Sequence, residues 1–167
     1  MPEFSIRPLA SSDSILELTH LLHLAYRQLG ARGLNYSAVD QSPETTAQRI
    51  EDGECLVAVA GHRLLGTIMF YPPDHASGCT WYDRPEIAKL GQFGVLPELQ
   101  HGGIGRHLLQ AAEARAAAAG AAEIALDTAE TATHLVAWYA RCGYRFIEHA
   151  QWPGKVYRSV IMSKLIG

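Results

Sequence analysis

Three glycines lie within four positions of the stretch QHGGIGR, residues 100–106, and an alanine-rich helical pattern begins directly after them. Backbone amides at the start of a helix have no intrahelical partners and lie at its positive end, so they suit an anion such as phosphate. Gly102, Gly103 and Gly105 would let the backbone approach that anion closely, and Arg106 could add a charge-assisted contact. On this stretch alone, an anion-binding loop and a glycine-rich tight turn remain equally good interpretations.

Two common glycine motifs do not fit the stretch. A Walker phosphate loop needs a lysine followed by Ser or Thr directly after its last glycine, and Arg106 follows Gly105 here. A dinucleotide-binding fingerprint needs a third glycine where Leu108 stands, and it lacks the spacer VLPELQ between strand and helix. Both interpretations are therefore set aside.

The strand that precedes the loop carries two internal glycines, Gly91 and Gly94. Glycines inside a strand often mark a bulge or the close approach of another group to the backbone. A ligand that lies along residues 93–95 and places its phosphates on residues 100–106 would account for both sets of glycines. Such a ligand is long and has an amide-bearing arm and a pyrophosphate, as coenzyme A does.

The sequence resembles the GNAT superfamily of N-acetyltransferases at three motifs. The family loop, R/Q-x-x-G-x-G/A, is present from Gln100 to Gly105, and the upstream V-x-P is present from Val95 to Pro97. The family's late helix ends in Y-x-x-x-G-[FY], which is present from Tyr139 to Tyr144. The order of elements agrees along essentially the whole chain, although residues 1–53 agree by pattern only.

The resemblance implies an acetyl-CoA-dependent transfer of an acetyl group to a primary amine, by direct attack within a ternary complex. It also implies that the sheet splays apart between its fourth and fifth strands and that the pantetheine arm lies in this gap. The coenzyme-binding residues that it implies are Phe93, Gly94, Val95, Gln100, His101, Gly102, Gly103, Ile104, Gly105 and Arg106. Tyr139 would protonate the leaving thiolate, a task that suits a phenol with a pKa near 10.

The general base is not selected by the resemblance, because members of the family use a carboxylate, a histidine or a chain of waters. Glu86 begins the strand that leads to the glycine loop, and Asp127 ends the next predicted strand. Either carboxylate could take the proton of the amine through a water, and Gln92 could orient that water or the amine. Glu86 could equally be a solvated strand end, and Asp127 could tie a loop.

The elements that must position these residues are predicted in the order β-α-α-β-β-β-α-β-α-β-β. The first helix covers residues 12–30, with Ser12 or Asp13 as its cap and Gly30 as its stop, and Ser42 caps the second. Together with the resemblance, this order predicts an α/β fold: one domain over residues 1–167 with a mixed, mostly antiparallel sheet of about seven strands flanked by about four helices.

Aromatic residues outside the motifs carry two open interpretations. Tyr71, Trp81 and Tyr82 flank a long turn-rich connection, where they could line an acceptor pocket or simply pack. Trp138 and Trp152 are predicted as core or packing residues.

Composition limits the classes of partner. A net charge of −3 without a Lys/Arg cluster argues against nucleic acid, and the sequence has neither an apolar stretch of bilayer length nor a secretory leader pattern. Three widely spaced cysteines indicate reduced thiols and a cytoplasmic location. We expect no metal and no membrane partner. The acceptor is expected to be a small-molecule or peptide amine, and the negative net charge weakly favours a cationic one. The fold also commonly dimerises, so a homodimer remains open. The alternatives are a non-catalytic acyl-CoA sensor or interaction module and a nucleotide-binding protein.

Overall fold

The computed structural model describes residues 2–73 and 78–167, and within them the chain forms seven strands and four α-helices in the predicted order. The strands form one sheet in the order β1-β2-β3-β4-β5-β7-β6. The elements are β1 (Ser5–Pro8), α1 (Ile15–Ala31), α2 (Pro43–Glu51), β2 (Glu54–Ala60), β3 (Arg63–Tyr71), β4 (Ile87–Val95), α3 (Ile104–Ala118), β5 (Glu123–Ala129), α4 (Thr133–Arg141), β6 (Arg145–Ala150) and β7 (Ser159–Leu165). The predicted fold class is confirmed.

The splay between the fourth and fifth strands is visible in the pairing. All other neighbouring strands pair antiparallel, whereas β4 and β5 run parallel and pair only over residues 87–89 and 123–125. Beyond that point β4 continues to Val95 and β5 continues to Ala129 without pairing to each other. The two strands therefore enclose a gap at their carboxyl ends.

A bulge interrupts β4 just beyond the residues that pair with β5. On β3, Met69 and Thr67 are two residues apart, but their partners on β4, Gly91 and Gly94, are three residues apart. Gln92, inside the bulge, has a φ of 45°, a left-handed conformation that a residue with a side chain seldom adopts. Of the two features that the strand glycines indicated, a bulge or a close approach of another group, the bulge is present.

The start and end of α1 differ from the prediction. Ser14 caps the helix by accepting a hydrogen bond from the amide of Glu17, while the carboxylate of Asp13 is bound by Arg7 at 2.7 and 2.9 Å. Gly30 does not stop the helix, which continues to Ala31. A Cβ at Gly30 would lie 2.7 Å from a methyl group of Val39, so this glycine makes room for close packing.

The helices cover both faces of the sheet. The position of the missing Cβ of Gly94 lies against Ala25 of α1, whereas that of Gly105 in α3 lies against Phe93 and Val95 of β4. Because successive strand residues face opposite sides, α1 and α3 pack on opposite faces of β4. No helix in the described part of the chain is long and apolar enough to cross a membrane.

Candidate active site

A cavity of about 690 Å³ occupies the gap between β4 and β5. Eight segments of the chain contribute residues to its walls: α1, the segment between α1 and α2, α2, β4, the glycine loop, β5, α4 and the connection between β6 and β7. Many of these segments are far apart in sequence, so only the folded sheet assembles the cavity.

The glycine loop, which borders this cavity, carries a run of free backbone amides. Two residues of the loop have left-handed backbone, His101 with a φ of 67° and Gly103, the N-cap of α3, with a φ of 93°. No group in the described residues accepts a hydrogen bond from the six consecutive amides of residues 101–106. Six free donors at a helix N-terminus form a strong anion-binding feature.

The predicted coenzyme residues of the loop divide into two groups. The lining of the cavity includes Gln100, His101, Gly103, Gly105 and Arg106. The lining does not include Gly102 and Ile104, and the side chain of Ile104 is fully buried in the core. Any contact that Ile104 makes with a ligand would therefore have to come from its backbone.

The predicted residues of β4 also line the cavity, but the carbonyls of two of them already accept hydrogen bonds. The hydroxyl of Tyr26 donates to the carbonyl of Phe93 at 2.8 Å, and Nε2 of Gln100 donates to the carbonyl of Val95 at 3.2 Å. Gly94 faces α1, where a Cβ would lie 2.8 Å from that of Ala25, so this glycine admits the helix as well as bordering the cavity.

Tyr139 lies on α4 within a cluster of aromatic rings and lines the cavity. Its hydroxyl makes no hydrogen bond to any described group. Burial raises the pKa of the phenol well above its ordinary value near 10, and neighbouring titratable groups raise this pKa further. The hydroxyl therefore carries its proton at neutral pH and has no protein partner that competes for it.

Asp127 lies on β5, two residues beyond Ala125, the last residue of β5 that pairs with β4. It therefore borders the gap where the two strands separate. The hydroxyl of Tyr82 donates to one carboxylate oxygen at 2.6 Å, and Nε1 of Trp152 donates to the other at 3.0 Å. Among the described lining residues Asp127 is the one carboxylate. Asp127, held by these two hydrogen bonds, therefore lines the same cavity as Tyr139.

Glu86, the other carboxylate considered as a base, is not brought to the cavity. It precedes β4 at the end opposite the gap, where its carboxylate pairs with Arg84 at 2.9 Å and is exposed. Its carbonyl instead receives the amides of Ala122 and Glu123 at the start of β5. Glu86 thus lies outside the cavity, whereas Asp127 is part of its lining, so the structure favours Asp127 over Glu86.

Several aromatic residues of the site were not identified from the sequence. Trp138 and Trp152, predicted as core or packing residues, both line the cavity, and Trp152 also orients Asp127. Tyr71, Trp81 and Tyr82 were predicted either to line an acceptor pocket or to pack, and none of them lines the cavity. Tyr82 acts on the site indirectly, through its hydrogen bond to Asp127. Other lining residues that the sequence did not indicate include Tyr26, Tyr36, Arg49, Lys155 and Tyr157.

The described residues contain no group of three or more His, Cys, Asp or Glu side chains placed to hold a metal ion. The model of the Acetyltransferase (GNAT) family matches residues 17–144, which is more than half of the chain. The chain belongs to this family. The glycine loop, the bulged β4 and all of α4 lie within the matched residues.

Known relatives share the fold at modest identity. This GNAT chain is 29% identical over 112 residues to the uncharacterized N-acetyltransferase YvbK of Bacillus subtilis (strain 168), and it spans 66% of that protein's length. Solved structures with a similar fold include a GNAT family acetyltransferase from Elizabethkingia anophelis with acetyl-CoA bound (TM-score 0.69, 19% identity, 99% of both chains). Another is the ribosomal-protein-S18-alanine N-acetyltransferase from Escherichia coli (TM-score 0.73, 16% identity, 99% of this chain and 95% of the other).

GNAT proteins use acetyl-CoA, and the residues of this chain suit that molecule. The six free amides of residues 101–106 match an anionic pyrophosphate, and Gly105 presents no side chain toward Phe93 and Trp138. The gap beside residues 90–95 offers unpaired strand edge to an amide-bearing arm. A cavity of about 690 Å³ falls within the range of sites for ligands of this size.

Proposed function

We propose that this protein is an acetyl-CoA-dependent N-acetyltransferase that acts on a primary amine by direct attack in a ternary complex. The observation that carries the proposal is a single cavity lined by the glycine loop with its free amides, by a carboxylate, Asp127, and by a protonated phenol, Tyr139. The amides of residues 101–106, with Arg106 beside them, would hold the pyrophosphate. Acetyl-CoA, when bound, supplies an acetyl thioester whose carbonyl carbon the amine nitrogen attacks as the thiol leaves.

Asp127 is the proposed general base. An amine is protonated at neutral pH and must lose a proton before it can act as a nucleophile. A carboxylate oxygen of Asp127, directly or through a water, takes this proton. Tyr82 and Trp152 hold the carboxylate in one orientation, which removes the entropic cost of aligning it for each turnover.

Tyr139 is the proposed general acid. Its hydroxyl donates a proton to the sulfur of the leaving thiolate, which would otherwise depart with a full negative charge. The hydroxyl is protonated at neutral pH, because even the ordinary pKa of a phenol is near 10. Proton transfer to the sulfur and proton removal from the amine thus fall to two side chains in the same cavity.

The alternative function, an acyl-CoA sensor without catalysis, needs the coenzyme loop but neither the carboxylate nor the phenol. A Tyr139→Phe variant separates the two functions. We expect it to lower kcat by about 10²-fold or more, because general acid catalysis contributes on that order, while the affinity for coenzyme A stays unchanged. Thiol release and isothermal calorimetry measure the two quantities.

Tyr144→Phe is the matched control, since Tyr144 donates its hydroxyl to Glu113 and is absent from the cavity lining. We expect this variant to retain wild-type kcat. If coenzyme A binds and no amine in a broad panel releases thiol from acetyl-CoA, the transferase proposal fails and the sensor remains.

A further inference from the structure

One buried amide group on the wall of the cavity has an unused hydrogen-bond donor. Gln92, in the bulge of β4, is 4% exposed and lines the cavity. Its Oε1 accepts a hydrogen bond from Nε2 of Gln41 at 2.9 Å, but its own Nε2 has no partner in the described part of the chain. A buried donor without a partner costs free energy, so its presence at a cavity points to an acceptor atom on a ligand.

The orientation of this amide is fixed by an arginine. Arg49 can only donate, so its 2.7 Å contact with Gln41 must be to the oxygen Oε1. Nε2 of Gln41 then faces away from Arg49 and donates both to Thr46 and to Gln92. This chain of donors forces Oε1 of Gln92 toward Gln41 and leaves the Nε2 hydrogens of Gln92 free.

The cavity lining carries several cations, namely Arg32, Arg49, Arg106, Arg141 and Lys155. Neither Arg49 nor Lys155 forms an ion pair with any Asp or Glu of the described residues. Nζ of Lys155 is held by the carbonyl of Asn35 at 2.7 Å and the hydroxyl of Ser37 at 3.0 Å. Burial lowers the pKa of Lys155, and the charge of Arg49 lowers it further, as expected where two cations share a wall.

The lining of the cavity therefore carries groups that attract charges of both signs. Asp127 attracts a cation, whereas Arg49, Lys155 and the free Nε2 of Gln92 attract an anion. A simple monoamine would leave the second set of groups without a partner. A ligand that carries both an ammonium and a carboxylate matches both sets at once.

We infer that the amine acceptor is an amino acid, whose ammonium lies toward Asp127 and whose carboxylate lies toward Nε2 of Gln92 and Arg49. The inference rests on the proposed transferase function and narrows its acceptor from amines in general. It departs from the cationic acceptor expected from the net charge of −3, because that charge is summed over the whole chain and the cavity wall carries several cations. The stacked rings of Tyr36 and Tyr157 favour an amino acid with an apolar or aromatic side chain.

The test compares each amino acid with the amine that lacks only its carboxylate: phenylalanine with 2-phenylethylamine, leucine with 3-methylbutylamine, and β-alanine with ethylamine. Thiol release from acetyl-CoA gives kcat/KM for each member of a pair. We expect the carboxylate to raise kcat/KM by about 10- to 100-fold in at least one pair, as charged hydrogen bonds contribute on that scale. Quenching of tryptophan fluorescence by the amino acid reports binding independently, since Trp138 and Trp152 line the cavity.

Two variants assign the preference to the named groups. Arg49→Gln and Gln92→Glu should each lower kcat/KM for the amino acid by about tenfold or more while changing that for the matched amine far less. Arg27→Gln removes the same charge from an exposed site of α1 outside the cavity lining and should leave the preference intact. Circular dichroism melting curves show whether each variant is folded.

Three results would overturn the inference while leaving the transferase function in place. One is a wild-type protein that acetylates the amines of all pairs as well as the amino acids. Another is an Arg49→Gln variant that loses activity equally on both members of a pair, which would make Arg49 a structural residue. A peptide amine as the one accepted substrate would also overturn it. If no amine and no amino acid releases thiol from acetyl-CoA, the proposed transferase function itself is wrong.

Discussion

At the scale of single residues, the two carboxylates near β4 and β5 differ in surroundings rather than in chemistry. Asp127 is held by a phenol and an indole at the opening of the gap, whereas Glu86 pairs with Arg84 in solvent. A surface ion pair of this kind contributes little to stability and does not prepare a group for proton transfer. The environment thus indicates which carboxylate can act on a bound amine.

We predict that Asp127→Asn lowers kcat/KM for the amine by about 10²- to 10⁴-fold at neutral pH, because the amide cannot accept the proton. The asparagine retains the size of the side chain and one oxygen for Tyr82. Steady-state kinetics over a pH series measures the effect, and activity should recover in part at high pH, where more of the amine is already neutral. Glu86→Gln, assayed in parallel, would contradict this assignment if it showed the larger loss.

The sequence predicted the cavity-lining residues of β4 and the glycine loop better than those of the other walls, and the reason is distance along the chain. The loop amides and the residues of β4 lie in one stretch from Phe93 to Arg106, so their types and spacing are visible together. The contact between Trp152 and Asp127 joins residues 25 apart, and that between Gln41 and Gln92 joins residues 51 apart. No local pattern reports such contacts, because they exist only after the sheet has formed.

At the scale of elements, the packing of α1 on β4 determines the shape of the gap. Gly94 allows Ala25 of α1 to approach the strand closely. The hydroxyl of the next residue, Tyr26, donates a hydrogen bond to the carbonyl of Phe93. The sequence predicted a bulge from Gly91 and Gly94 but assigned both glycines to a ligand. The second glycine has a structural task that only the tertiary contact reveals.

We predict that Gly94→Ala destabilises the protein by about 1–3 kcal/mol, because its Cβ would lie 2.8 Å from the Cβ of Ala25 and a helix backbone must shift. Chemical denaturation gives the free energy of unfolding. Gly91→Ala is the matched substitution in the same bulge, and its Cβ would lie 3.7 Å from the ring of Tyr71, an ordinary contact. Equal losses in the two variants would show that α1 does not restrict position 94.

At the scale of the whole molecule, the cavity draws its walls from both parts of the sheet, which pair across the gap over three residues of each strand only. A ligand that fills the gap contacts β4 and its loop on one side and α4 on the other. Such a ligand binds the folded chain and not the unfolded one, so binding contributes directly to the free energy of unfolding.

We predict that coenzyme A at about 100 times its Kd stabilises the fold by about 2.7 kcal/mol and raises Tm by roughly 5–10 °C. Differential scanning fluorimetry measures this shift. ATP and NAD⁺ at the same concentration should give a much smaller one, because they lack the pantetheine arm that would lie in the gap. A shift with either nucleotide but none with coenzyme A would favour the nucleotide-binding alternative.

The separate origins of the two sides of the cavity have an evolutionary consequence. Residues 93–106 form the side proposed for the coenzyme, whereas Arg49, Lys155 and Tyr157 on the side proposed for the acceptor come from α2 and the connection between β6 and β7. Substitutions in those two segments can accumulate without disturbing the glycine loop. A lineage with this architecture can exchange one amine for another while its acyl donor stays the same, and divergence in specificity requires no change in the framework.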